Sequence, residues 1–262
     1  MKDKILLFIP AYNCENQIQR VLKQLDEQIL KYIDKVLIIN NRSTDSTEEK
    51  AISYIKENKL NDKISVLRNA ENYGLGGSHK VAFKYAIDNN YDYVIVLHGD
   101  DQGNISDFKN VLENETYKQS DCVLGARFMK KSKLLGYSKF RTFGNKVYNI
   151  IFSIAVGKRI YDLGSGLNMY STKMLKDEFY IKFPDNLMFN YCMILASNYY
   201  KQDIKFEPIS WREEDQKSNV KMISQAFTVL KMVFMYLFGK KKFIKKEFRQ
   251  KIIEDYTADK IY

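Results

Sequence analysis

The segment Val94-Ile95-Val96-Leu97-His98-Gly99-Asp100-Asp101-Gln102 carries an unbroken apolar run straight into two adjacent carboxylates and a carboxamide. Oxygen ligands of this kind suit a hard divalent cation, and a cation held at the end of a buried strand is placed to meet a phosphorylated ligand. Such a site points to an enzyme. Upstream, Gly74-Leu75-Gly76-Gly77 precedes Lys80. Glycines at a helix start let the backbone approach an anion, and Lys80 would add charge; a helix entry that merely needs glycine is the competing reading. The glycines follow the third apolar run rather than the first and make no full GxGxxG, which argues against a dinucleotide site. Asp162, Glu213, Glu214 and Asp215 are available as a general base, and nothing in the sequence selects one.

The elements that must position these groups follow from the apolar pattern. Ile5 to Ile9 reads as a strand covered on both faces and stopped by Pro10. Ile18, Val21, Leu22 and Leu25 recur at helical spacing, and Val36 to Ile39 forms a second strand. Asp45 with Glu48 reads as a capping box opening a helix through Ala51, Ile52 and Ile55, before a third strand from Ile64 to Leu67. A helical pattern through Val81, Ala82, Tyr85 and Ala86 leads to the strand at Tyr93 to Leu97. Val123 and Leu124 mark a further strand; a helix from about Phe140 to Ile154, a glycine turn from Asp162 to Gly166 and a strand near Ile204 to Ile209 complete the pattern. The alternation predicts one α/β domain with a doubly wound, mostly parallel sheet, and it puts Asp100 at the carboxyl end of a strand.

At 262 residues, 45% of them hydrophobic, the chain can bury a substantial core without staples. Cys14, Cys122 and Cys192 are odd in number and widely spaced, with no secretion signal ahead of them, as expected of reduced thiols in a cytoplasmic protein. The net charge of +10 gathers late, at Lys240-Lys241-Lys242, Lys245-Lys246, Arg249 and Lys251. The apolar run before it is shorter than the roughly 20 residues a bilayer span needs. An apolar helix face beside a basic cluster predicts peripheral contact with an anionic membrane, on the inner face of the plasma membrane; a helix packed on the domain with a solvated basic tail is the alternative. No nucleic-acid-binding motif accompanies the charge.

Several segments, in order, resemble one family. Ile9-Pro10-Ala11-Tyr12-Asn13, Ser43-Thr44-Asp45, Asn72-Tyr73-Gly74-Leu75-Gly76, His98-Gly99-Asp100-Asp101-Gln102, Gly125-Ala126-Arg127-Phe128, Arg141 with Asn145, and Asp162 with Ser165-Gly166 are similar to the motifs of family-2 inverting glycosyltransferases. The similarity is greatest to the polyprenyl-phosphate, dolichol-phosphate mannose synthase-like branch. It covers about residues 4 to 220, and the motifs are specific as an ordered set rather than singly. The resemblance implies a GT-A fold over residues 1–220, with 1–125 binding the nucleotide sugar and 126–220 the acceptor, followed by an amphipathic helix and basic tail at 221–262.

The resemblance also assigns residues. Pro10, Ala11, Tyr12, Asn13, Asn41, Ser43, Asp45, Asn72, Gly76, Lys80, Gly99 and Asp100 fall on the nucleotide-sugar side, with Arg212 and Lys217 in a late loop over the diphosphate. His98, Asp100 and Gln102 align with the residues that hold Mn2+ or Mg2+ and the donor diphosphate; histidine stands where aspartate is usual, which suits Mn2+ better than Mg2+. Asn40 and Asn41 replace two further acids of the family, leaving UDP against GDP open. Arg127, Arg141, Asn145 and Ser165 fall on the acceptor side; Arg141 and Asn145, four apart, share a helix face, and a guanidinium can bond two phosphate oxygens at once. Asp100, Arg127 and Arg141 are the expected catalytic set. A polyprenyl phosphate arrives ionised and needs alignment rather than a base, whereas the hydroxyl of a glycan acceptor needs a carboxylate. A degenerate sugar-nucleotide-binding protein and a sugar-phosphate nucleotidyltransferase are the other classes; the latter lacks its Gly-rich Arg/Lys loop after the first strand.

Overall fold

The structure, a computed structural model, describes residues 2–213 and 222–262, with the side chains of 222–225 excepted. β1 (Ile5–Ala11), α1 (Ile18–Lys23), the single-turn α2 (Glu27–Leu30), β2 (Lys35–Asn40), α3 (Thr47–Glu57), β3 (Ile64–Asn69), α4 (Gly74–Asp88) and β4 (Tyr93–Leu97) alternate as the apolar pattern predicts. The second half adds α5 (Lys109–Glu113), β5 (Cys122–Ala126), β6 (Lys133–Leu135), α6 (Lys139–Val156), β7 (Leu167–Ser171), α7 (Thr172–Leu175), α8 (Phe189–Tyr199), β8 (Ile204–Pro208), β9 (Ser210–Arg212), α9 (Met222–Phe238), α10 (Lys240–Lys245) and β10 (Ala258–Lys260).

Among the described residues eight strands form one sheet in the order β10-β3-β2-β1-β4-β7-β5-β8, with β6 and β9 a separate parallel pair. β1, β2, β3 and β4 run parallel, as do β5 and β8, while β7 is antiparallel to both its neighbours. Side chains of successive strand residues point to opposite faces. Leu6, Phe8, Leu37 and Val96 therefore join the core under α4, α8 and α9, and Leu7, Ile9, Ile38 and Leu97 the core under α1 and α3. Cys14, Cys122 and Cys192 are free and buried.

Three local expectations are corrected. Pro10 lies inside β1 rather than ending it. Its carbonyl accepts from Gly99 N on the β4 side, and the ladder to β4 ends at Phe8, so the N–H that proline lacks has no strand partner to lose. Asp45 and Glu48 form no capping box: Asp45 accepts from the N–H and hydroxyl of Thr47, and Glu48 is drawn to Arg68 and Asn40. The tail after α10 is not simply solvated. It returns to the sheet, where β10 pairs antiparallel with β3 and covers that edge.

Candidate active site

The loops after β1 and β4 and the turn before β7 meet at the carboxyl end of the parallel strands. Gly99 N donates to Pro10 O at 3.0 Å and His98 N to Gly166 O at 2.9 Å. Both glycines are required by contact: a Cβ on Gly99 would lie 2.9 Å from Pro10 O, and one on Gly166 would lie 2.7 Å from Cγ of His98.

The two adjacent aspartates divide sharply. Asp101, with φ of 60° and almost fully buried, accepts from Arg20 Nε at 2.7 Å and Gln24 Nε2 at 2.8 Å, and pairs with Arg212, whose Nε also donates to the Asp101 carbonyl at 2.6 Å. It joins α1 to β9 and is not offered to a ligand. Asp100 accepts from Gln102 N at 3.2 Å, and among the described residues no cation pairs with it. Burial, opposed by that N–H and reinforced by the neighbouring Asp101 charge, lifts its pKa to about 6. A desolvated carboxylate without a counter-charge is chemically suited to a cation.

The site's fit to a divalent cation rests on that carboxylate. A cation that also binds a diphosphate needs only one or two protein carboxylates, and Asp100 supplies one, with the Gln102 carboxamide two residues on in the same turn. His98 is corrected: its ring lies on Gly166, its Nε2 is enclosed by protein without a partner, and burial, with Arg127 adding to the effect, lowers its pKa to about 4. A cation cannot reach Nε2 unless the ring moves. Among the described residues no three His, Cys, Asp or Glu side chains converge as a cation cage.

Tyr12, expected to meet the nucleobase, is half exposed in the loop after β1, which leaves its ring accessible for stacking. Asn13 and the 43–45 loop hold each other: Asn13 N donates to Ser43 Oγ at 3.0 Å and Thr44 N to Asn13 Oδ1 at 2.8 Å, while Asp45 accepts from Glu15 N at 3.1 Å. Asn41 is corrected from a nucleotide contact to a buried tie: its oxygen accepts from Asn69 and from Tyr73 N, and its amide donates to Asn72, whose oxygen also accepts from Gly74 N. Asn40 donates to Glu48 at 2.6 Å and accepts from Ser43 N. An aspartate at position 40 would oppose the Glu48 carboxylate.

The glycine loop and Lys80 do not face a ligand. Gly76 N donates to Asp185 O at 2.7 Å, and a Cβ on Gly76 would lie 2.4 Å from Pro184 O; at Gly74, φ is 71° and a Cβ would meet Asp185 O at 2.4 Å. The glycines accommodate the chain's own 184–186 segment. Lys80 is buried and donates to Phe183 O, to Asp185 at 2.7 Å and to Tyr256 OH at 3.1 Å; burial lowers its pKa to about 8. Its ammonium closes the C-terminal segment onto α4.

The acceptor set is rearranged as well. Arg127 grips Asp162 through Nε and Nη2, both at 2.8 Å, and donates to Gly164 O. Burial alone would depress the guanidinium pKa, but the Asp162 charge outweighs it and the net shift is upward. Ser165 is buried, with its hydroxyl donating to Leu167 O, so it holds the turn rather than an acceptor. Arg212 is occupied by Asp101, and Lys217 lies outside the described residues, as do Glu214 and Asp215. Arg141 pairs with Glu213 through Nη1 and lies over the Tyr137 ring, 4.7 Å from its centroid. Asn145 fixes that ring by donating to Tyr137 OH at 2.9 Å. Arg20, Gln24 and Tyr137 were not evident from sequence, because their roles depend on contacts 8 to 81 residues away and no motif marks them.

The description glycosyl transferase family 2 matches residues 7–179, and the chain belongs to that family. Its architecture is the GT-A fold. The glucosyl-3-phosphoglycerate synthase of Mycobacterium tuberculosis, solved with UDP, is similar at a TM-score of 0.61 and 14% identity over 90% of this chain and 80% of that one. Among curated relatives, the undecaprenyl-phosphate mannosyltransferase of Micrococcus luteus is 22% identical over 66% of this chain and 68% of its own length. The UDP-N-acetylglucosamine–dolichyl-phosphate N-acetylglucosaminyltransferase of Methanococcus voltae is 26% identical over 67% of this chain and 73% of its own.

Proposed function

We propose that this glycosyltransferase moves a sugar from a nucleoside-diphosphate sugar to a polyprenyl phosphate, with inversion and with a divalent cation at Asp100, while in peripheral contact with a membrane. The observation that carries the reading is the Asp100 carboxylate at the carboxyl end of β4, uncompensated among the described residues, in a chain with curated relatives named for undecaprenyl and dolichyl phosphates. A bound Mn2+ or Mg2+ supplies charge neutralisation for the departing nucleoside diphosphate. Asp100 and Gln102 would hold it, Tyr12 would stack on the base, and the Gly99 turn keeps the β1 and β4 loops in contact.

Among the described residues, the two candidate bases favour a phosphate acceptor over a hydroxyl. Asp162 is occupied by Arg127 and Glu213 by Arg141, so neither stands ready to take a proton. A lipid phosphate needs no base. Arg141 uses only Nη1 on Glu213 among the described residues, which leaves Nε and Nη2 to meet phosphate oxygens in line with the anomeric carbon. The test is transfer from labelled UDP- and GDP-sugars to a polyprenyl phosphate with Mn2+. Solvent-extractable product of inverted anomeric configuration supports the proposal; label that remains in water with every donor contradicts it.

A further inference from the structure

Gly136, Tyr137 and Ser138 link β6 to α6. β6 pairs with β9, Glu213 N donates to Leu135 O at 2.9 Å, and at Gly136, with φ of 70°, a Cβ would lie 2.7 Å from Glu213 O. The glycine turn thus fixes the chain at Tyr137 beside the segment that carries Glu213, the partner of Arg141. The Tyr137 ring packs on the core that includes Trp211, and its centroid lies 4.7 Å from the guanidinium carbon of Arg141 and 5.9 Å from that of Arg127. Its hydroxyl has a fixed polarity. Asn145 Nδ2 donates to Arg141 O at 2.8 Å and to Tyr137 OH at 2.9 Å. A carbonyl can only accept, so the first bond settles which side of the Asn145 amide is nitrogen, and the two bonds commit both of its hydrogens. The Tyr137 oxygen must therefore accept, and its own proton is left to donate. Among the described residues no acceptor takes that proton, and the two nearby carboxylates, Asp162 and Glu213, are held by Arg127 and Arg141.

We infer that the Tyr137 hydroxyl is a binding group for the acceptor, donating to its phosphate beside Arg141; the inference rests on the lipid-phosphate reading. A phosphate monoester presents three strong acceptor oxygens. One of them must attack the anomeric carbon, which leaves two to be held. Arg141 brings a planar fork to that task, and the ring against its guanidinium restricts where the fork can point. The phenol adds a donor without adding charge. A further cation would draw electron density from the attacking oxygen as well as from its neighbours, whereas a neutral O–H orients the group and leaves most of its charge for the reaction.

The test is calorimetric titration of geranyl phosphate and of farnesyl phosphate, without nucleotide sugar, into the full chain and its Tyr137→Phe variant, with UDP and GDP plus Mn2+ titrated separately. Phenylalanine keeps the ring and removes the hydroxyl. Tyr137 is partly exposed, so the N–H that Asn145 loses a partner for can turn to water and the melting temperature stays near that of the wild type. Both phosphates are expected to bind roughly tenfold more weakly to the variant, the effect of one hydrogen bond to a charged group, and by the same factor at both chain lengths. Nucleotide affinity is expected to hold. Undiminished binding of both phosphates by Tyr137→Phe would overturn the inference. A loss that grows with chain length would overturn it too, by placing the tyrosine against the lipid, and so would an equal loss of nucleotide affinity, which would make Tyr137 a staple of its loop alone. A wild type that binds neither phosphate would overturn the acceptor reading and this inference with it. Because no donor is present in the phosphate titration, binding without transfer faults the transfer reading alone, and wild-type transfer matched by Tyr137→Phe with unchanged phosphate affinity faults only the tyrosine.

Discussion

Arg20 Nε donates to Asp101 Oδ2 at 2.7 Å, so the second of two adjacent aspartates anchors α1 while the first, Asp100, has no cationic partner among the described residues. Their order follows from the turn. Asp101 adopts a left-handed conformation that turns its carboxylate into the protein, toward Arg20, Gln24 and Arg212.

Asp101→Asn tests that anchor. Asparagine tolerates the left-handed backbone but cannot pair with both guanidinium groups. A loss of about 2 kcal/mol in urea unfolding is expected, as for hydrogen bonds to charged groups. Asp100→Asn removes a desolvated charge instead and should leave stability equal or slightly raised.

Acid should destabilise the fold through its two buried imidazoles. Burial first, opposed at His79 by the Leu75 carbonyl, lowers the folded pKa to about 3 at His79 and about 4 at His98, from an ordinary 6.5. As pH falls below 6.5 the unfolded chain binds protons that the folded chain refuses, so stability is lost through that window. Asp100 acts in the opposite sense between about 6 and 3.8, and two imidazoles outweigh one carboxylate. His79 alone accounts for about 2 kcal/mol between pH 6.5 and 5. Urea midpoints at pH 7 and 5 should show His79→Phe losing less than the wild type.

Lys80→Met separates a structural lysine from a nucleotide-binding one. It leaves Asp185 without its ammonium partner and should cost on the order of 3 kcal/mol in stability. Nucleotide affinity of the folded fraction should not change; a large loss would return Lys80 to the donor site.

Arg141→Ala should raise the KM for polyprenyl phosphate roughly ten- to hundredfold, the range of one or two charge-assisted hydrogen bonds. Donor affinity, measured separately, should hold.

The apolar runs made the parallel half legible, because strands covered on both faces read as continuous Val, Ile and Leu. β7 escaped because Asn168 and Ser171 break that signal; Asn168 can be buried there only because its amide donates to Ser165 O at 2.9 Å. β10 escaped because Ala258-Asp259-Lys260 has no apolar alternation and is a strand only through its pairing with β3. In the site, residue types located the carboxylate turn but could not say which charges were already paired. Arg127 with Asp162, Arg212 with Asp101 and Lys80 with Asp185 are ion pairs between residues 35, 111 and 105 positions apart. Only the fold reveals that these cations are engaged and that Asp100, among the described residues, is not.

The central claim, that Asp100 holds the cation for a nucleoside-diphosphate sugar, is tested most directly by calorimetric titration of UDP and GDP with and without Mn2+ into the wild type, Asp100→Ala and Asp101→Asn. Metal-dependent binding of one nucleotide by the wild type, lost by at least about tenfold in Asp100→Ala and kept by folded Asp101→Asn, is the predicted result. Equal metal-dependent binding by wild type and Asp100→Ala would contradict it.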